Sequence, residues 1–168
     1  MNKKDALIFL VEDEPTLQYV FRRQLDRLGY KVAGVSGDGR SAVENILQNQ
    51  YHVVFMDVRL PGMDGLTATR RIREVEAQKG VRTSILGLTA FADQTPCLDA
   101  GMDDFLQKPV LLEEMDAILT KWLNLPQVES VPLEKISLGH FVDTGDRLKN
   151  IQQKLAALRK QAGLSKEG

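Results

Sequence analysis

The sequence predicts an α/β fold in which helices cover both faces of a parallel β-sheet. Two short runs, residues 6–11 and 53–56, are wholly apolar, which is typical of strands buried on both faces. Each run is followed directly by a carboxylate, Glu12 in the first case and Asp57 in the second. Across residues 6–123, strand-like and helix-like segments alternate five times, and this alternation indicates parallel strands joined by helical crossovers.

Apolar spacing, together with the residues that begin and end helices, places these elements in chain order. Strands are predicted at residues 6–11, 30–35, 53–57, 84–88 and 103–107. Helices are predicted at residues 15–28, 39–47, 66–78 and 111–123, with a loop and a further helix within residues 90–100. Asp38 and Asp64 are good N-caps, and Gly29, Gly80 and Gly101 are good helix stops.

Two local features follow from the same rules. Residues 60–63 are expected to form a tight turn, because Pro61 presets its own φ and Gly62 accepts the positive φ of a type II turn. On the third helix, Arg73 is expected on the outward face with the other charged residues.

The composition is that of an ordinary soluble protein. The chain has 168 residues, 43% of them hydrophobic, and a formal net charge of −1, so no global property indicates nucleic-acid or membrane binding. The single cysteine, Cys97, can form no internal disulfide, which fits a reducing compartment. The N-terminal apolar run is too short for a signal peptide, and no run is long enough to span a membrane. We therefore expect a cytoplasmic protein.

The C-terminal part of the chain differs in character from the rest. Residues 125–142 are predicted to be a linker, and residues 143–168 an amphipathic helical tail. Four apolar residues form the seam of this tail: Leu148, Ile151, Leu155 and Leu158. The seam can pack on the preceding domain, pair with a second copy in a homodimer, or dock on a partner. The basic residues around it can also bind an acidic surface.

Polar side chains stand at the ends of four of the five predicted strands. The first strand ends at Glu12 and Asp13, the third at Asp57, the fourth at Thr89 and the fifth at Lys108. Because parallel strands end at one edge of a sheet, these groups are expected to face one crevice. The alternative is that the set serves only to cap backbone groups.

The chemistry of this set follows from its charge. Three carboxylates close together repel one another, and a hard divalent cation such as Mg²⁺ relieves the repulsion. Bound Mg²⁺ recruits phosphate oxygens, and Lys108 adds a second positive charge while Thr89 offers a hydroxyl donor. One carboxylate can then act as a nucleophile toward phosphorus and form an acyl phosphate.

Residues 5–124 resemble the receiver domains of two-component response regulators. The resemblance is carried by four motifs, LVEDE at 10–14, MDVRLPGMDG at 56–65, LTA at 88–90 and FLQKP at 105–109. It implies a receiver domain over residues 1–124 with a flavodoxin-like (βα)5 doubly wound sheet in the order 2-1-3-4-5.

The resemblance also implies a role for each site residue. Asp57 would accept a phosphoryl group from a phosphohistidine, and Lys108 would pair with a phosphoryl oxygen. Asp57 and Asp13 would bind Mg²⁺ directly, Glu12 through water, and Arg59 through its backbone carbonyl.

Further implied features concern the surroundings of the acceptor. The bond between Lys108 and Pro109 would be a cis peptide. Thr89 and Phe105 would form a switch pair, in which Phe105 turns inward when Thr89 moves toward the phosphoryl group, although Phe105 can equally be a core residue. Phe91 would lie beside the phosphoryl group with Arg59, and its bulk predicts slow hydrolysis of the phosphoaspartate; the alternative is that both are surface residues without such a role.

These implications define a phosphorylation-dependent signalling switch rather than an enzyme that turns over a metabolite. The expected phosphodonor is a sensor histidine kinase or a histidine phosphotransfer protein. Output is expected by contact with a downstream protein, since residues 126–168 are too few for a winged-helix DNA-binding domain. Two alternatives stay open, a phosphorylation-independent scaffold and the excised receiver of a hybrid kinase, although Met1 so near the first strand favours a free-standing protein.

Two other classes fit the residues less well. A phosphohydrolase that uses an aspartyl phosphate commonly has a second Asp two residues after the nucleophile, and Arg59 occupies that position here. A flavodoxin requires a phosphate-binding loop after the first strand, where residues 12–14 are acidic instead.

Overall fold

A computed structural model of the chain describes residues 3–124. Five strands form one sheet, in which every paired strand is parallel: β1 (Ile8–Val11), β2 (Val32–Ser36), β3 (Val53–Asp57), β4 (Ser84–Thr89) and β5 (Asp104–Gln107). A short 3-10 helix (Lys3–Asp5) precedes β1, and five α-helices accompany the strands: α1 (Pro15–Arg27), α2 (Gly39–Gln48), α3 (Gly65–Lys79), α4 (Thr95–Asp99) and α5 (Leu112–Asn124). The strand order is β2-β1-β3-β4-β5, as expected.

The sheet separates two apolar cores, because alternate residues of each strand point to opposite faces. On one face, Leu10 of β1 and Phe55 of β3 pack with residues of α1 and α5. On the other face, Phe9 and Met56 pack with residues of α2 and α3. Burial on both sides explains why β1 and residues 53–56 of β3 are wholly apolar.

The predicted helix signals lie where the sequence places them. The carboxylates of Asp38 and Asp64 accept hydrogen bonds from the backbone N–H groups of Ser41 and Thr67, and so cap α2 and α3. Gly80, directly after α3, has a left-handed φ of 66°. In the turn between β3 and α3, Gly62 has a φ of 73°, which fits the predicted type II turn.

Three local predictions are corrected. β1 begins at Ile8 rather than residue 6, and β2 begins at Val32 rather than residue 30, because Ile8 and Val32 are the first residues that pair. Arg73 does not face outward. Its side chain is only 13% exposed and donates to the carbonyls of Gly101 and Thr83, at 2.8 and 2.9 Å, as well as pairing with Asp103.

The predicted linker at 125–142 and helical tail at 143–168 lie outside the described residues, and so does any contact through that tail. Within residues 3–124, none of the helices is long and apolar enough to cross a membrane.

Asp104 joins the edge strand β5 to α5. Its Oδ2 atom accepts hydrogen bonds from Lys121 Nζ at 2.6 Å and from Trp122 Nε1 at 2.9 Å. Burial by itself would raise the pKa of Asp104, but the hydrogen bonds from Lys121 and Trp122 hold it below its ordinary value. The ionised carboxylate therefore stabilises the packing of α5.

We predict that Asp104→Asn lowers the free energy of unfolding at neutral pH by about 1–2 kcal/mol. Because the folded-state pKa lies below the unfolded value of about 4, this contribution is present above that value and is lost as the pH falls through the folded-state pKa. Urea unfolding followed by Trp122 fluorescence should therefore show a constant difference between the two proteins above about pH 4 and convergence as the pH falls below that value. Asp99→Asn, at an exposed site in α4, is the control, and a pH-independent difference for Asp104→Asn would contradict the prediction.

Candidate functional site

The strand ends meet in one crevice, as the sequence predicts. Glu12 and Asp13 follow β1, Asp57 ends β3, Thr89 ends β4, and Lys108 follows β5. All five line a crevice of about 360 Å³. The position of this crevice follows from the sheet order, because β1 and β3 are neighbours whose crossover helices lie on opposite faces.

Lys108 is the central cation of the crevice. Its Nζ atom lies 2.6 Å from Glu12 Oε2 and 2.6 Å from Asp57 Oδ2. Burial by itself would lower the pKa of Lys108, but its hydrogen bonds to Asp57 and Glu12 raise it above the ordinary value. The lysine is therefore a permanent positive charge at neutral pH.

Glu12 is the most deeply buried acid of the set, at 1% exposure. Burial raises the pKa of Glu12 above its ordinary value, while the hydrogen bond from Lys108 acts in the opposite direction. Its other oxygen, Oε1, accepts from the backbone N–H of Glu14 at 3.2 Å. Glu12 is thus held in place on both sides of its carboxylate.

Asp57 is held just as firmly and is 6% exposed. Its Oδ1 atom accepts a hydrogen bond from the Arg59 backbone N–H at 3.0 Å, while Oδ2 is the atom that contacts Lys108. Asp57 also pairs in register with Leu88 of β4. The carboxylate therefore has a fixed orientation at the floor of the crevice.

The acidic residues fit a divalent cation. Glu12, Asp13 and Asp57 each offer a carboxylate oxygen, and these oxygens lie within 4.8 Å of one another. Asp13 is exposed, so an ion can reach the cluster from solvent. An all-oxygen set with an open side suits Mg²⁺, which retains several of its waters. The predicted role of the Arg59 carbonyl stays a prediction.

Thr89 and Phe105, the predicted switch pair, lie on the neighbouring strands β4 and β5. Thr89 is buried, and its Oγ1 atom accepts a hydrogen bond from the Phe91 N–H at 3.0 Å, which leaves the hydroxyl proton free to donate. Phe105 is half-buried on β5. The movement that would couple the two residues stays a prediction. The Lys108–Pro109 peptide bond is cis, as expected.

Arg59 and Phe91, expected together beside the acceptor, also contact each other directly. The guanidinium carbon of Arg59 lies 5.6 Å from the centroid of the Phe91 ring, and the ring is 57% exposed. Both residues line the mouth of the crevice. The equal spacing of the two residues, each two positions after a strand-end site residue (Asp57 or Thr89), indicates that they share the mouth of the crevice, but it does not indicate the direct contact between them.

Comparison with known proteins agrees with this geometry. A sequence model of the family described as "Response regulator receiver domain" matches residues 8–120. The chain belongs to this family.

The receiver domain is similar to parts of much longer histidine kinases. It is 39% identical over 120 residues to probable histidine kinase 2 of Oryza sativa subsp. indica, a match that covers 61% of this chain and 11% of that protein. The chain thus spans about one tenth of the length of the curated relatives that it matches.

Two solved structures resemble the receiver domain closely. The receiver domain of the sensor histidine kinase PA1611 from Pseudomonas aeruginosa, which has a magnesium ion in its active-site cleft, is 41% identical with a TM-score of 0.62; the match covers 70% of this chain and 97% of that one. The receiver domain of Saccharomyces cerevisiae Ssk1, in complex with the phosphotransfer protein Ypd1, is 28% identical with a TM-score of 0.66. That match covers 73% of this chain and 91% of the other.

We predict that Lys108→Met destabilises the domain by about 3 kcal/mol without Mg²⁺. Removal of the lysine leaves the buried carboxylates of Glu12 and Asp57 without a neutralising positive charge. The variant should then bind Mg²⁺ more tightly than the wild type, since the cluster has lost a competing cation. Thermal unfolding in EDTA measures the loss of stability, and unfolding over a series of Mg²⁺ concentrations measures the affinity. A ligand at about 100 times its Kd adds about 2.7 kcal/mol to the free energy of unfolding.

Lys3→Met is the matched control, since Lys3 forms an exposed ion pair with Asp116 worth less than about 1 kcal/mol. Unchanged stability of Lys108→Met, or weaker Mg²⁺ binding by it, would show that Lys108 does not compensate the acidic cluster.

Proposed function

We propose that this receiver domain is a signalling switch that accepts a phosphoryl group on Asp57. The observation that carries the proposal is the fixed carboxylate of Asp57 at the floor of the crevice, 2.6 Å from Lys108 and beside Glu12 and Asp13. A nucleophile, a permanent cation and a set of metal ligands are the parts that phosphoryl transfer requires.

The transfer needs little rearrangement of these residues. An oxygen of Asp57 forms a bond to phosphorus while the bond from phosphorus to the imidazole nitrogen of the donor breaks, and the imidazole leaves. Lys108 then exchanges its contact with Asp57 for one with a phosphoryl oxygen, and the Thr89 hydroxyl donates to another. Mg²⁺, bound by Asp13, Asp57 and Glu12, would neutralise charge on the phosphoryl oxygens.

The phosphodonor is proposed to be a phosphohistidine on a sensor histidine kinase or a histidine phosphotransfer protein. The similarity to histidine kinases and to a receiver domain solved with a phosphotransfer protein supports this class of partner. On α1, Tyr19 and Val20 are exposed, as is Leu111 after β5. Gln24, one turn beyond Val20, donates to the Val110 carbonyl at 2.9 Å, so α1 and the β5–α5 connection form one surface on which a donor can dock.

Output is proposed to occur by contact with a downstream protein in the cytoplasm, without turnover of a metabolite. Phosphorylation would shift Thr89 and Phe105 and so change the surface of β4 and β5. A phosphorylation-independent scaffold is the alternative, and so is a receiver that acts as part of a hybrid kinase. The complete set of acceptor, lysine and hydroxyl argues against the scaffold.

Incubation with acetyl phosphate and Mg²⁺ is expected to add one phosphoryl group to the wild-type protein and none to Asp57→Asn. Intact-mass spectrometry measures the addition, and EDTA should abolish it. Asp99→Asn, at an exposed carboxylate of α4 outside the crevice lining, is the control that should still be labelled. Failure to label the wild type or to bind beryllium fluoride, with Mg²⁺ binding confirmed, would favour the scaffold.

Phe91→Ala is expected to shorten the lifetime of the phosphoaspartate about two- to fivefold. An exposed cation–π pair is worth about 0.5–1 kcal/mol, and its loss would open the mouth of the crevice to water. The loss of label from purified phosphoprotein over time measures the lifetime. Val81→Ala, another exposed apolar residue outside the crevice lining, is the control, and an equal lifetime for Phe91→Ala would show that the ring does not screen the site.

A further inference from the structure

The backbone of Asp57 is packed directly against Gly65, the first residue of α3. A Cβ atom added to Gly65 would lie 2.0 Å from the Asp57 carbonyl oxygen and 2.9 Å from its carbonyl carbon. Both are backbone atoms, so a change of rotamer cannot relieve the overlap. Gly65 does not have a positive φ, so the close approach, and not the backbone conformation, requires glycine here.

Hydrogen bonds lock the two segments together around this contact. The Gly65 N–H donates to the carbonyl of Val58 at 3.0 Å, and the Val58 N–H donates to Leu88 of β4 at 3.0 Å. The carbonyl of Gly65 accepts a hydrogen bond from Thr69 Oγ1 at 2.7 Å, and Thr69 is 0% exposed. The first turn of α3 therefore holds the end of β3, where the acceptor Asp57 lies, in place.

The helix cannot easily move away from this contact. Asp64 caps α3 through the N–H of Thr67 at 2.7 Å, and Ala68 and Ile72 are completely buried against the sheet. A bulkier residue at position 65 would therefore displace the backbone of Asp57. Relief of the overlap needs a shift of about 1 Å, and a misplacement of that size in a reacting group can cost about 100-fold in rate.

We propose that Gly65, held in place by the buried hydroxyl of Thr69, is a positioning residue that sets the location of the Asp57 carboxylate between Lys108 and the metal ligands. This inference rests on the proposed function of Asp57 as the phosphoacceptor. It assigns to the first turn of α3 a role in phosphoryl transfer, although neither Gly65 nor Thr69 lines the crevice.

The test compares two glycine variants of the full chain. Gly65→Ala should weaken Mg²⁺ binding by about 10- to 100-fold, measured by calorimetry, and should slow labelling by acetyl phosphate by about 100-fold. Gly39→Ala is the matched control, because its Cβ would lie 2.2 Å from the Met63 carbonyl oxygen, a backbone overlap of the same kind next to the exposed turn at 61–62. It should lose stability but retain wild-type Mg²⁺ affinity.

A second pair of variants keeps the proposal falsifiable if Gly65→Ala does not fold. Thr69→Val keeps the shape of the side chain but lacks the hydroxyl, and it should lower Mg²⁺ affinity several-fold. Thr69→Ser keeps the hydroxyl and should bind Mg²⁺ as the wild type does. Wild-type Mg²⁺ affinity and labelling in a folded Gly65→Ala, or in Thr69→Val when Gly65→Ala is unfolded, would overturn the proposal. Absence of labelling in the wild type itself would instead contradict the proposed function.

Discussion

Glu12 and Asp57 are buried carboxylates at the ends of neighbouring strands, and each lies 2.6 Å from Lys108 Nζ. Two such acids would repel each other without a cation between them, and burial makes this repulsion stronger. The lysine follows β5, which is separated from β3 by β4. The three charges meet only when the whole sheet is assembled, so the site and the fold form together.

Side-chain contacts elsewhere in the domain keep the strand ends close to this ion cluster. Arg73 of α3 pairs with Glu76 and Asp103. It also donates to the backbone carbonyls of Thr83, just before β4, and of Gly101, after α4. These contacts tie α3 to the connection before β5. On the edge strand, Asp104 binds Lys121 and Trp122 of α5. These contacts limit the ways in which β5, and with it Lys108, can move relative to Asp57.

Sequence reasoning succeeded where a local rule decides the structure. A short apolar run such as residues 53–56 is typical of a strand buried on both faces, and Asp64 and Gly80 mark the ends of α3 through capping chemistry. It failed for Arg73, which was predicted to face outward, because a charged residue on a helix is expected to be exposed unless its partners are known. Three of its four partners, Thr83, Gly101 and Asp103, lie 10 to 30 residues further along the chain.

The sequence by itself determined the alternation of strands and helices, the identity of the strand-end residues and hence the chemistry of the site, because these depend on periodicity and residue type over short stretches. Only the tertiary structure decided that Lys108 contacts both Glu12 and Asp57, that Arg59 lies over Phe91, and that Gly65 abuts the carbonyl of Asp57. Distances of this kind are set by how separate elements pack, and packing depends on the whole chain rather than on neighbouring residues.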